Sequence, residues 1–102
     1  MRYEWDERKN RENWSRHRIS FEDAALVFDD ERCLIYPDRA DATGELRWHA
    51  IGTVPIGRTG KAVLLVVHAY RENIDGEEII RIISARETEK HERRRYQKQE
   101  AP

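Results

Sequence analysis

The segment Ala62-Val63-Leu64-Leu65-Val66-Val67 is apolar at every position. A strand with no polar alternation must be covered on both faces, so this run predicts the central strand of a layered sheet. A second apolar run, Ile79-Ile80-Arg81-Ile82-Ile83, follows the Asn73 to Gly76 segment, where Asp75-Gly76 signals a hairpin. Upstream, Leu46, Trp48 and Ala50 alternate with Arg47, His49 and Ile51, the period of a strand with one buried and one polar face. A turn over Gly52 to Gly60 is expected to join it to the central strand. The chain is 38% hydrophobic and 38% charged, so these few dense stretches must supply most of the core.

Helical signals sit at both ends. Asp6 is a good N-cap for a polar helix running to about His17, whose large apolar residue is Trp14. Ser20 and Asp23 resemble a weak capping box, and Phe21, Ala24, Ala25 and Phe28 then fall on one face of a second helix. Tyr3 to Trp5 suits a short opening strand, and Cys33 to Tyr36 another that Pro37 ends; Asp38 to Glu45 reads as an acidic loop. Ser84 and Glu87 match a capping box that opens a terminal helix from Arg86 to about Lys98, with Tyr96 as its large apolar residue. Links this short exclude most crossover connections. The expected fold is therefore α+β: a mainly antiparallel sheet with two N-terminal helices on one face and a C-terminal helix. At 102 residues, the chain is expected to form a single domain over 1–102.

Several function classes lose support. No apolar run reaches the roughly 18 residues of a spanning helix, and Met1 to Asp6 has no signal-peptide core, so a soluble, unexported protein is expected. Cys33 is the lone cysteine, which rules out an internal disulfide. No HxxxH, CxxC, P-loop, dinucleotide fingerprint or nucleophile elbow occurs, so neither metal nor cofactor is expected. The net charge of -1 hides an uneven distribution. Acids dominate from Ser20 to Glu45, Asp41 among them, and bases dominate from Arg86 to Lys98.

Against that background the isolated cations in apolar strands stand out. Arg81 interrupts four isoleucines; it serves either an anion or an ion pair with one of the acids. Arg47 and His49 share a strand face by period two, which also suits ordinary solvated positions. His68 reads as a hydrogen-bonded histidine at the core edge, and His17 as a cation favoured at a helix C-terminus. Arg86, Arg93, Arg94 and Arg95 can attract phosphates, and Tyr96 can stack on a base, although interleaved glutamates equally describe a solvated helix.

The ordered segments Glu4-Trp5-Asp6 with Lys9 and Asn13, Arg16-His17, Ile19 to Ala24 and Val27-Phe28-Asp29 resemble the BrnT family of bacterial toxins. So do Gly44-Glu45 with Arg47, Ile51-Gly52, Leu65 to His68, Ile80 to Arg86, and Glu92-Arg93 with Tyr96. The resemblance spans nearly the whole chain. It implies a RelE-like fold, an endoribonuclease that halts translation in the bacterial cytoplasm, and a BrnA-like antitoxin whose ribbon-helix-helix domain binds operator DNA. Two positions depart from the pattern: Arg18 stands where glycine is usual and Ala69 where threonine is usual. Metal-free RNA cleavage needs proton transfer and stabilisation of added negative charge. On the nuclease reading Arg81 and Arg86 stabilise the phosphate, and His49 or His68 transfers a proton. Arg47 and Arg94 then hold RNA, with Tyr96 stacking or acting as an acid. The competing reading is a non-catalytic subunit of RelE fold that joins its antitoxin in autorepression.

Overall fold

A computed structural model describes residues 2–40 and 42–99, so Asp41 of the expected acidic loop lies outside the described residues. Among the described residues, five strands form one sheet in the order β1-β5-β4-β3-β2: β1 (Arg2–Glu4), β2 (Leu34–Ala40), β3 (Leu46–Ile56), β4 (Gly60–Glu72) and β5 (Glu78–Glu87). The all-apolar run lies in β4, the middle strand, as its lack of alternation requires. Neighbours from β2 to β5 pair antiparallel. β1 pairs parallel, beside β5. With helices α1 (Glu7–His17), α2 (Phe21–Ala24) and α3 (Lys90–Lys98), the architecture is the expected α+β fold with a mainly antiparallel sheet.

The N-terminal helices cover one face. Asp6 caps α1, its side chain accepting from Arg8 N. Ser20 caps α2 by accepting from Asp23 N at 3.1 Å. What anchors α1 is not Trp14, which is 48% exposed, but two buried asparagines. Asn10 accepts from Phe21 N at 2.8 Å and donates to Glu22 Oε1 at 2.8 Å. Asn13 accepts from Ala85 N at 3.1 Å and donates to Ala85 O at 2.9 Å, so one side-chain amide pairs with the edge of β5 as a neighbouring strand would. Register pairing of β1 with β5 ends at Arg81; Asn13 takes over beyond it.

The second helical segment is only one α-turn long and continues as a 3-10 helix, Ala25–Asp29. Three residues per turn shift the buried stripe to Phe21, Ala24 and Val27, all 0% exposed, in place of the expected Ala25 and Phe28. These residues pack on Ala50, Val54, Leu64, Val66, Ile80, Ile82 and Ala85. Each fully buried large aliphatic or aromatic side chain contributes about 1.5–3 kcal/mol. Gly52 lies within β3, not in a turn, and a Cβ there would come within 2.8 Å of Val27 O. The absent side chain lets the 3-10 segment sit directly on the sheet.

Three other boundaries differ from the sequence expectation. Pro37 does not end β2: the strand lies at the sheet edge, where a residue without an N–H is tolerated. Beyond it the β2 register shifts between Pro37 and Ala40. Ser84 to Glu87 belong to β5, not to a helix start. The capping box belongs to Glu89 and Glu92, each side chain meeting the other's backbone N–H, and α3 begins at Lys90.

Candidate active site

Alternation along the strands sends Arg47, His49, Ile51 and Thr53 of β3 to the face opposite α1. Register carries that face across the sheet. Tyr36, His49, Val67 and Ser84 form one row, and Leu34, Ile51, Leu65 and Arg86 form the next. A further row aligns Ala69, Arg81 and Glu4. Helix α3 covers one end of the face by packing Tyr96 on Ile51 and Leu65. Arg47, His49, Arg81 and Arg86 thus share one side of the sheet. Moving Arg86 from a helix to a strand is what brings it into this group.

Each charged group there has a defined setting. His49 Nε2 lies 3.2 Å from Asp38 Oδ2, its ring meets Tyr36 edge-on at 5.1 Å, and its buried Nδ1 has no hydrogen-bond partner among the described residues. The Arg86 fork meets Glu92 through Nη1–Oε1 at 2.8 Å and Nη2–Oε2 at 2.9 Å. That pair raises the Arg86 pKa and holds the Glu92 carboxyl below its ordinary value. The Arg95 guanidinium lies 4.1 Å from the centre of the Tyr36 ring. Burial, then the nearby Glu92 charge, raises the Tyr36 phenol and keeps it protonated. Arg81 is more open, with 44% of its side chain exposed and Glu45 Oε2 at 3.8 Å, beyond hydrogen-bond length. Arg71 and Glu4 close the far corner with paired hydrogen bonds.

The structure does not bring His68 to this face. Its side chain points to the α1 side, is 0% exposed, contacts Phe28 and bonds Tyr70 Oη at 3.1 Å through Nε2. Burial pushes its pKa down to about 4, so it stays neutral at ordinary pH. It is a core histidine. Tyr96 reaches the face but is only 7% exposed, and its ring is therefore not an open stacking surface. Its hydroxyl donates to Asp30 and lies 2.9 Å from Thr53 Oγ1. Arg94 is exposed on α3 and makes no side-chain hydrogen bond or ion pair with the described residues. Among the described residues no three His, Cys, Asp or Glu side chains converge to hold a metal ion.

A family model described as "Ribonuclease toxin, BrnT, of type II toxin-antitoxin system" matches residues 5–92. The chain belongs to the BrnT toxin family. No curated protein matched it. The match spans the cationic face of this BrnT toxin and ends within the first turn of α3, before Arg94 and Tyr96. Sequence reasoning missed Asp38, Tyr36 and Glu92. For the first two the usable signal was period two from Tyr36 to Asp38, which Pro37 hid. For Glu92 it was the capping spacing from Glu89, an uncommon N-cap residue.

Proposed function

We propose that this BrnT toxin cleaves RNA without a metal ion and thereby stops translation in the bacterial cytoplasm. A BrnA-like ribbon-helix-helix antitoxin neutralises it, and operator DNA is met only through the joint complex. The reading rests on one observation: an imidazole and three guanidiniums share a sheet face in a chain of this family. His49 takes the proton of a ribose 2′-hydroxyl, and the oxygen attacks the adjacent phosphorus. The P–O2′ bond forms, the P–O5′ bond breaks, and the imidazolium returns its proton to the leaving 5′ oxygen. Asp38 holds Nε2 and orients the ring, so the proton passes through Nδ1, unpartnered among the described residues, which RNA binding must uncover. Arg81 and Arg86 stabilise charge that builds on the phosphoryl oxygens, and Arg47 holds the strand. Acid-base groups of this kind typically contribute about 10²–10⁴-fold, and preorganised cations contribute comparably.

A second reading, a binding subunit without catalysis, is favoured by a specific feature. His49, Arg81 and Arg86 each face a carboxylate of the same chain, Asp38, Glu45 and Glu92. Controlled expression separates the two readings. Expressed alone, the toxin should arrest growth and fragment cellular RNA, and co-expression of a ribbon-helix-helix partner should restore both. Growth and RNA that stay intact on expression alone would leave only the binding subunit.

A further inference from the structure

Between α1 and the outer edge of β5 lies a cleft of about 200 Å³ lined by Lys9, Glu12, Asn13, Arg16, Ile83 and Ser84. We propose that this cleft binds a backbone phosphate of the RNA strand, to one side of the phosphate that is cleaved. The proposal takes RNA as the ligand from the nuclease reading above.

Four observations carry it. Lys9 and Arg16 stand two helical turns apart on one stripe of α1, roughly 10 Å along the axis, and border the same opening. Neither makes an ion pair or side-chain hydrogen bond with the described residues, whereas the acid in the lining, Glu12, lies 3.3 Å from Arg8. The cleft therefore presents surplus positive charge. Its floor is a break in the sheet: Ile83 has no register partner on β4, where the pairing skips it, nor on β1, where pairing ends at Arg81. Asn13 pairs with the strand edge at Ala85 and leaves the stretch at Ile83 open to the cleft.

The fourth observation is continuity. Ser84 lines the cleft and also ends the register row Tyr36–His49–Val67–Ser84. A single strand laid along that row from His49 passes over the sheet edge into the opening between Lys9 and Arg16. An acidic protein segment is the competing ligand. The row favours RNA because it joins the cleft to the imidazole that the reaction requires.

The test is equilibrium binding of a 2′-O-methyl oligoribonucleotide, which lacks the attacking hydroxyl, followed by fluorescence anisotropy over a salt series. Lys9→Gln/Arg16→Gln is compared with wild type and with Arg58→Gln/Lys61→Gln, which removes the same charge at the β3–β4 end. Lys9 and Arg16 are exposed, so melting should be unchanged. The cleft variant should bind about tenfold more weakly or worse, as expected for lost charged hydrogen bonds. Its log–log salt slope should fall by about 0.7, the value for one phosphate of a single strand. Affinity and slope equal to those of the control variant would overturn the proposal. So would unchanged RNA binding with lost antitoxin binding, which would assign the cleft to the protein partner. Failure of wild type to bind the oligonucleotide would bring down the RNA reading itself, a separate result from a cleft variant that binds and cleaves normally.

Discussion

Arg18 closes α1 with φ 59° and ψ 33°, the single non-glycine residue of positive φ among the described residues. A side chain in this left-handed region costs about 1–2 kcal/mol. Its guanidinium lies 5.9 Å from the centre of the Trp14 ring, an exposed contact that returns only about 0.5–1 kcal/mol. Arg18→Gly should therefore stabilise the protein by up to about 1 kcal/mol, raising the melting temperature by roughly 2–6 °C. Arg18→Ala keeps the strained backbone and loses the ring contact, so it should melt no higher than wild type. The strain was legible in advance, because a turn usually served by glycine here holds arginine. Ala69 was less so. It lies on the face opposite His68 and pairs with Arg81, so a hydroxyl at 69 points among the cations and cannot orient the His68 ring. The placement of His68 is hard to read from sequence for a physical reason: period two gives relative faces along a strand, but not which face the helices cover.

Two elements are held by polar groups that hydrophobic periodicity does not register. Helix α1 depends on Asn13, which also donates to Ile19 O at 3.0 Å. Asn13→Ala leaves the buried groups of Ala85 and Ile19 without partners, and each such group costs about 1–3 kcal/mol. A loss of about 3 kcal/mol in denaturant unfolding is expected; Asn13→Asp should lose as much, because a carboxylate cannot donate to the carbonyls. Helix α3 is tied down by the Asp30–Tyr96–Thr53 network and the Arg86–Glu92 pair. Tyr96→Phe should speed amide exchange in α3 while leaving β4 protected.

Acid should release the same helix. Burial raises the Asp30 carboxyl, but hydrogen bonds from Thr53 N, Tyr96 Oη and Arg32 N outweigh it and hold the pKa below the ordinary value. The Arg86 hydrogen bonds lower that of Glu92. A depressed folded pKa contributes stability that is present above the unfolded pKa and lost as pH falls through the folded one. The loosening of α3 should thus begin as pH drops below about 4, and Asp30→Asn should blunt it. Circular dichroism with amide exchange across that range checks both statements.

At the scale of the whole molecule, the sheet was the readable part. The apolar run of β4 and the Asp75-Gly76 turn are local signals, and the strands they imply form in the structure. What local patterns miss is what other elements impose. Val27 needs the bare backbone of Gly52, an edge position tolerates Pro37, and Glu89 starts α3 later than Ser84 promised. The candidate site was legible as isolated cations in apolar strands. Its carboxylate partners were not, because Asp38 and Glu92 sit on segments whose boundaries were misread.

The proposed chemistry requires the open guanidinium and the oriented imidazole of one sheet face to act on a single phosphodiester. Purified protein is to be incubated with RNA in the presence of a chelator, wild type beside folded Arg81→Ala and His49→Ala variants. Cleavage by wild type, with each variant slowed by about 100-fold or more, is the predicted result. Both variants cutting at the wild-type rate would contradict the account.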